Sequence, residues 1–318
     1  MQLSIIIPTC NRPRILQKTL DCIAVQTLLA PSFDTRRRVT LSSPSRSEGV
    51  SKGRYGATQE DTPLEVIVVS DGPDEKTAEL ITSMEWPFAI QYFAIPKIQQ
   101  GVCRNRAVEK ARSPLVLLIG DDIFLAPDAC ERHVKVHAML DEKAIVLGHI
   151  TWDPSMKVTP LMKWMEESGV QFGYGKIEKF RKNFLPADIQ HWFTYTSNLS
   201  LPAKLLYQNK FREDVSLYGW EDIEWGKRLA AKDIPLYYEP DAQAYHHHPY
   251  TADEVWQRSR QLGKSAVIME KLNPSLQLLP CGLKKMAYRV LSLLPTYRGR
   301  HYREFFAGMK SNILCQSE

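Results

Sequence analysis

The feature that most constrains the fold of this 318-residue sequence is a series of four short runs rich in Ile, Val and Leu. Such runs, each followed by polar turn residues, are typical of parallel strands buried on both faces of a sheet. Helical patterns lie between them, and this alternation predicts a doubly wound, Rossmann-like α/β fold. In such a sheet the ligand binds beyond the carboxyl ends of the strands. The predicted strands are Ser4–Pro8, Val66–Ser70, Ile90–Ala94 and Leu115–Ile119.

The pattern predicts one α/β domain over residues 1–250 and a helical C-terminal extension over residues 251–318. Within the domain, residues 31–63 are dense in Ser, Arg, Gly and Thr and nearly lack large apolar residues. We interpret them as a flexible insertion, either a surface loop without function or a basic lid over an anionic ligand.

The C-terminal stretch, residues 282–310, mixes Lys and Arg with Leu, Tyr and Phe at helical spacing. This pattern fits a packed terminal helix or a helix lying on an anionic membrane surface. No apolar run reaches the roughly 20 residues of a spanning helix, and the chain opens on a strand pattern instead of a signal peptide. The sequence therefore predicts a cytoplasmic protein, with peripheral contact at the inner face of the membrane left open.

Composition limits the partners. Apolar residues make up 44% and charged residues 24%, which indicates a folded globular protein. The net charge of +5 is too small to require nucleic acid, and we expect no nucleic-acid partner. Six cysteines without CxxC spacing favour reduced thiols over a zinc site or a disulfide framework. A homo-oligomer is compatible with this composition.

Polar residues follow two of the predicted strands. Pro8 ends pairing of the first strand, and Thr9, Asn11 and Arg12 come where the sheet opens toward a ligand, so they are candidates to contact a nucleotide. Asp71 ends the second strand, where a carboxylate either binds a base or ribose or caps the next helix.

Two further motifs carry charge toward the same edge. In GVCRNRA, a loop is predicted to turn into a helix with Arg104 near its start, suited to diphosphate oxygens unless the arginine only faces solvent. In LIGDDIFL, Asp121 and Asp122 follow an apolar strand directly. Adjacent carboxylates in apolar surroundings need a partner, and Mn²⁺ or Mg²⁺ is the economical one unless both face water.

Later motifs supply acid–base and ligand groups. Glu221 and Asp222 begin an amphipathic helix behind Trp220, which fits either helix capping or a general base beside a ring that stacks on a sugar. In AYHHHP, His246 and His248 are expected on one face of an extended segment and His247 on the other. That pair favours metal ligation.

Taken in order, IIIPTCNRP, VIVVSDG, GVCRNRA, LIGDDIFL, TSNLSLP, GWEDIEWGKRL and AYHHHP resemble the motifs of glycosyltransferase family 2, over about residues 3–250. The resemblance implies a GT-A fold and a divalent metal. It implies a nucleotide-diphosphate sugar as donor and transfer to an acceptor hydroxyl with inversion. Gly120 stands where the family commonly has the first carboxylate of its DxD-like motif, and His246 or His248 could supply the missing ligand.

Carried over residue by residue, the resemblance implies that Asp71 contacts the base, usually uracil, and that Asp121 holds the ribose or donor sugar while Asp122 holds the metal. Asp222 becomes the base that takes the acceptor proton, with Glu221 as the alternate, and Asn198 lies near the donor sugar and acceptor. The remaining nucleotide-binding positions are Pro8, Thr9, Asn11, Arg12 and Arg104.

The function expected from these motifs is transfer of a sugar, with UDP-sugars favoured as donors, to a glycan or lipid-linked acceptor in polysaccharide or glycoconjugate synthesis. One rival is a catalytically silent module that binds a sugar nucleotide or glycan. Another is a nucleotidyltransferase, which would carry a Gly-rich basic loop after its first strand, where this chain has IIIPTCNRP.

Overall fold

The computed structural model describes residues 2–29, 62–140, 143–214 and 219–314. Its sheet is built outward from β1, Leu3–Thr9, all of whose residues are buried. Parallel neighbours lie on both sides, β2 (Leu64–Asp71) and β4 (Leu115–Ile119), and β3 (Ala89–Ile95) continues the parallel order beyond β2. Helices cover both faces, which is why these strands are continuous apolar runs instead of alternating ones. The four predicted parallel strands are confirmed.

The other half of the sheet is mixed. Strand β8 pairs antiparallel with both β4 and β6, and β6 runs parallel to β9. The short strands β5 and β7 both pair antiparallel with β9. The predicted α/β fold is therefore confirmed, and parallel pairing dominates only its first four strands. The bounds are β5 Ile123–Leu125, β6 Ile145–Trp152, β7 Asn183–Phe184, β8 Asn198–Pro202 and β9 Leu236–His246.

Ten α-helices occur in the described part of the chain. The first begins with a proline at its first turn and buries Leu16, Leu20 and Ile23, a helically spaced stripe, against the sheet. The bounds are α1 Pro13–Ala24, α2 Glu75–Ser83, α3 Gln100–Val108, α4 Ala129–Met139, α5 Pro160–Ser168, α6 Ala203–Gln208, α7 Glu221–Ala230, α8 Ala252–Leu272, α9 Gly282–Leu291 and α10 Tyr297–Leu314.

Helix α3 begins earlier than the sequence predicted. Residues predicted to form a loop are already helical from Gln100, so Arg104 lies in the second turn and not beside the free amides of the first. A Cβ at Gly101 would lie 3.0 Å from Phe211 Cβ. The glycine therefore lets α3 approach Phe211 closely.

The predicted helical C-terminal region is confirmed. Helix α8 starts with a capping box between Thr251 and Glu254, and α10 packs along it. The contact is close because Gly263 faces the backbone of Phe305, and Gly308 faces that of Arg260. The division of the chain at residue 250 stays a prediction, and the predicted insertion lies outside the described residues except for its end. Among the described helices, none combines the length and the apolar character needed to cross a bilayer.

Candidate active site

A cleft of about 990 Å³ opens at the carboxyl ends of β1 and β4. The start of α7 and the C-terminal helices form its opposite wall. This is the edge at which ligands of open α/β sheets bind. Ten of the residues predicted to form the site line it: Pro8, Arg12, Arg104, Asp121, Asp122, Trp220, Glu221, Asp222, His246 and His248.

Three other predicted residues flank the cleft without lining it. Thr9 donates its hydroxyl to Asp121 Oδ2 at 2.7 Å, so it supports a cleft residue from behind. Asn11 is exposed in a left-handed conformation with φ 52°, and its backbone N–H donates to the Asp74 carboxylate. Asp71 accepts the Ile98 amide at 2.7 Å. The predicted nucleotide contacts of these three residues stay predictions.

Asn198 lies inside the sheet and does not line the cleft. The residue is fully buried within β8, where its amide group donates to the Ala242 carbonyl at 2.8 Å and its oxygen contacts His133 Nε2 at 3.0 Å. A Cβ at Gly148 would collide with this amide. Because these hydrogen bonds are made inside the sheet, the side chain of Asn198 is already satisfied, and its predicted place near the donor sugar and acceptor stays a prediction.

At the strand-end wall, one arginine contacts both neighbouring carboxylates. Arg12 donates from Nη1 to Asp121 Oδ1 at 2.8 Å and from Nη2 to Asp122 Oδ2 at 2.9 Å. Pro13 begins α1 directly after it, so the helix start fixes the position from which the side chain reaches across. The two buried carboxylates that the sequence left without a partner therefore have a cation between them.

The environment separates the two carboxylates electrostatically. Burial and the adjacent Asp122 charge raise the pKa of Asp121 to about 6, against the opposing effects of Arg12 and Thr9. Burial would also raise the pKa of Asp122, but hydrogen bonds from His246 and His248 and the charge of Arg12 outweigh it and hold that pKa well below its usual range. Asp122 is therefore the carboxylate kept ionised.

Two histidines join Asp122 because β9 pairs with β5, which places His246 opposite Ile123. His246 Nε2 lies 3.5 Å and His248 Nδ1 3.3 Å from Asp122 Oδ2. His247 points away and contacts Asp153, as the alternation of an extended segment predicted.

The side chains of Asp122, His246 and His248 fit a divalent cation. Their ligand atoms lie within 4.8 Å of one another. The buried Nδ1 of His246 has no hydrogen-bond partner among the described residues. Two imidazoles with one carboxylate suit Mn²⁺ better than Mg²⁺, which prefers oxygen ligands throughout. A Cβ at Gly120 would lie 3.1 Å from Asp122 Oδ1, so a carboxylate there would crowd the group.

The opposite wall begins with the turn that starts α7. Gly219 and Trp220 have φ values of 79° and 71°, and this left-handed pair directs Glu221 and Asp222 into the cleft. The Thr194 hydroxyl donates to the Asp222 carbonyl at 2.8 Å and holds the helix start in place. The Ile223 amide donates to Asp222 Oδ1 at 2.9 Å.

Glu221 and Asp222 form a pair of like charges with limited compensation. Burial and the neighbouring Glu221 raise the pKa of Asp222 to about 7, although the Ile223 amide and Arg104 oppose the shift. Burial raises the pKa of Glu221 too. One Glu221 oxygen is buried without a hydrogen-bond partner in the described structure. A carboxyl group with a pKa near neutrality is suited to accept a proton.

Arg104 reaches the same space from α3. Its side chain is only 3% exposed, and Nε and Nη1 lack hydrogen-bond partners among the described residues. Burial lowers the pKa of the guanidinium, whereas the charges of Glu221 and Asp222 raise it. Buried donors of this kind are costly unless a ligand satisfies them.

The sequence analysis missed the contribution of the C-terminal helices to the cleft. Their basic and aromatic composition was the available signal, but it was interpreted only as a packed or membrane-facing helix. Side chains of α9 and α10 line the cleft opposite the strand ends: Lys284, Tyr288, Arg298, His301 and Tyr302.

Comparison with known proteins bears on this cleft. Residues 57–211 match the family model described as Glycosyl transferase family 2, which starts after β1 and includes Arg104, Asp121 and Asp122. The chain is 26% identical over 253 residues to validoxylamine A glucosyltransferase from Streptomyces hygroscopicus subsp. jinggangensis. The match covers 74% of this chain and 52% of that protein, so the chain spans about half the length of this relative.

Solved structures share the fold at low sequence identity. The mannosyltransferase PcManGT from Pyrobaculum calidifontis, in complex with GDP-Man and Mn²⁺, superposes with a TM-score of 0.59 at 14% identity, covering 99% of this chain and 88% of that one. TarS residues 1–349 from S. aureus, in complex with UDP-GlcNAc, gives a TM-score of 0.55 at 13% identity, covering 99% and 92%.

Proposed function

From the membership of this chain in glycosyltransferase family 2, we propose that it is a metal-dependent, inverting enzyme that transfers a sugar from a nucleotide-diphosphate sugar to an acceptor hydroxyl. UDP-sugars are the favoured donors, and the acceptor is a glycan or a lipid-linked glycan in polysaccharide or glycoconjugate synthesis. The predicted cytoplasmic location and a homo-oligomeric state remain predictions of the sequence.

The observation that carries the proposal is that one cleft contains three groups of complementary chemistry. The strand-end wall holds Asp122 with His246 and His248, and the facing wall holds Asp222. Arg104 lines the same cleft, with donors that have no partner among the described residues. A silent binding module would have no need of a carboxylate whose pKa is raised to about 7.

In the donor complex, Asp122, His246 and His248 would hold Mn²⁺ or Mg²⁺, with Mn²⁺ preferred for its tolerance of imidazole. The chemistry that a bound divalent cation supplies is neutralisation of the charge on the departing diphosphate. The Nε and Nη1 donors of Arg104, which have no hydrogen-bond partner among the described residues, bind phosphate oxygens, and this offsets the cost of their burial.

Inversion follows from a single displacement. Asp222 accepts the proton of the acceptor hydroxyl while that oxygen attacks the anomeric carbon of the donor, and the bond to the nucleotide diphosphate breaks. The Ile223 amide holds the Asp222 carboxylate, and the Thr194 hydroxyl holds the backbone carbonyl of the same residue. Trp220 offers an aromatic surface on the same wall for the apolar face of a sugar.

A thermal-shift screen of UDP, GDP and their sugar conjugates, with and without Mn²⁺, tests the donor site, because a ligand of the folded state raises the melting temperature. We expect one nucleotide to stabilise the protein only with Mn²⁺, and Asp122→Asn to lose this effect. Asp128→Asn, at the exposed start of α4, serves as the matched control. Absence of any shift, together with no release of nucleotide from any sugar conjugate, would contradict the proposal.

A further inference from the structure

Helix α9 and the residues just after it expose several large apolar side chains close together. Leu283, Met286 and Val290 are 83%, 63% and 64% exposed, and Leu293 just beyond the helix is 78% exposed. No residue of α9 is buried. Scattered single apolar residues are normal on a protein surface, but a contiguous group marks a contact surface.

The spacing of these residues makes one continuous face. Positions 283, 286 and 290 are separated by three and four residues, so they project from one side of the helix. The side across the helix from this face bears Lys284 and Tyr288, which line the cleft, and Tyr288 stacks on Tyr302 of α10 with ring centroids 4.1 Å apart. Helix α9 is thus held on α10 by one side and presents the apolar side outward.

The charge around this face has one sign. Between Glu270 and Glu304 the sequence contains no Asp or Glu and seven basic residues. Residues 271–303 therefore combine an apolar helix face with basic residues and no carboxylates. The basic residues are Lys271, Lys284, Lys285, Arg289, Arg298, Arg300 and Arg303.

We propose that α9 docks in the plane of an anionic lipid bilayer, with Leu283, Met286 and Val290 entering the acyl boundary and Lys285 and Arg289 at the headgroups. An amphipathic helix with long basic side chains beside its apolar face binds such a surface through both effects. A second copy of the chain fits less well, because pairing this face with itself would bring two clusters of positive charge together.

Docking by α9 also orients the cleft. The cleft-lining side of the helix lies across from the side that enters the lipid, so docking holds the cleft about one helix diameter, roughly 10 Å, above the acyl boundary. For the acceptor, and resting on the proposed function, this geometry favours a lipid-linked glycan whose headgroup reaches Asp222 from the membrane surface.

Co-sedimentation of the full chain with vesicles tests the docking surface. We expect binding to vesicles of equal parts phosphatidylcholine and phosphatidylglycerol and little to phosphatidylcholine alone. The triple variant Leu283→Gln, Met286→Gln, Val290→Gln should bind at least about tenfold more weakly. Its control is Val25→Gln with Met139→Gln, two exposed apolar residues at the C-terminal ends of α1 and α4, which should bind as the unchanged protein does.

A charge variant separates the two contributions. Lys285→Glu with Arg289→Glu, neither of which lines the cleft, should weaken binding by roughly fivefold for each reversed charge, and added salt should reduce the difference. Equal binding to both vesicle types, or full binding by the triple variant, would overturn the proposal. The proposal would also fail if the unchanged protein did not bind vesicles but formed a dimer, detected by sedimentation, that the triple variant did not form.

The outcome can be told apart from that of the proposed function. Nucleotide-dependent stabilisation in vesicle-free solution should be the same for the triple variant and the unchanged chain, because none of the three residues lines the cleft. If no nucleotide stabilises either protein and none is released from any sugar conjugate, the proposed function fails, while the vesicle result still decides the docking surface.

Discussion

The two walls of the cleft handle buried charge differently. At the strand ends, Arg12 lies between Asp121 and Asp122, and His246 and His248 complete the contacts of Asp122. At the start of α7, Glu221 and Asp222 are adjacent carboxylates, and Arg104 nearby keeps two unsatisfied donors.

This difference indicates what each wall needs from a ligand. The strand-end wall already holds one cation between its two carboxylates, so a second cation entering there must share Asp122 with Arg12. The α7 wall keeps a proton-accepting group near neutrality and donors whose burial a phosphate would satisfy. The strand-end wall is thus arranged to exchange one bound cation for another, and the α7 wall is arranged to accept a proton.

The largest effect should come from the α7 wall. Asp222→Asn removes the base, and we expect turnover to fall by about 10² to 10⁴ while metal-dependent nucleotide binding persists. The measurement is initial-rate release of nucleotide from the donor alongside thermal shift. Asp214→Asn, an exposed carboxylate before the same helix, should keep its turnover. Turnover near that of the unchanged enzyme in Asp222→Asn would remove the contrast between the walls.

Arg104→Met should weaken donor binding by roughly tenfold to a hundredfold, because charge-assisted hydrogen bonds to phosphate are lost. It should also change the pH dependence. The base works deprotonated, so turnover should rise with pH through about 7, and loss of the nearby positive charge should move this limb to higher pH.

Calorimetric titration and a pH–rate profile check the two expectations for Arg104→Met. Arg106→Met, exposed on the same helix and paired with Glu213, is the control and should change neither. A pH profile that stays in place would show that Arg104 does not act on the carboxylate pair.

For the strand-end wall, His248→Ala should weaken Mn²⁺ binding by roughly tenfold through loss of one of three ligands. Titration calorimetry with Mn²⁺ alone measures this. His247→Gln is the matched control because that side chain faces Asp153, away from the group. If both variants lose affinity equally, the histidines act through the strand and not as ligands.

The sequence predicted the parallel half of the sheet well because buried strands are recognisable as local apolar runs. Motifs at the ends of β1 and β4 were expected together because those ends share an edge. His246 reaches Asp122 through pairing of β5 with β9, residues 123 and 246, a contact that no local pattern encodes.

The features that the sequence did not predict have the same origin. Asn198 carries a family-like motif, but its burial is decided by Gly148 and the Ala242 carbonyl, which come from other strands. Lys284 and Tyr288 line the cleft only because α10 positions α9 across from the strand ends. Local composition gives the character of such residues, and long-range packing gives their place.

The smallest expected effect concerns the competition at Asp122. Arg12 Nη2 and both histidines approach the same oxygen, Asp122 Oδ2, so a cation must displace or share that contact. Arg12→Gln should therefore bind Mn²⁺ several-fold more tightly, because the repulsion between the guanidinium and the metal ion is lost at a partly exposed site. Without metal its melting temperature should fall, because the two buried carboxylates lose their shared cation, and Mn²⁺ should restore it.

Arg14 is an exposed arginine in the first turn of α1. Arg14→Gln controls for the loss of one positive charge from the protein and should change neither property. If Arg12→Gln instead binds Mn²⁺ more weakly, the guanidinium preorganises Asp122 for the metal. The strand-end wall would then be prepared for its ligand in the same sense as the α7 wall, because its charges would be arranged in advance and not exchanged on binding.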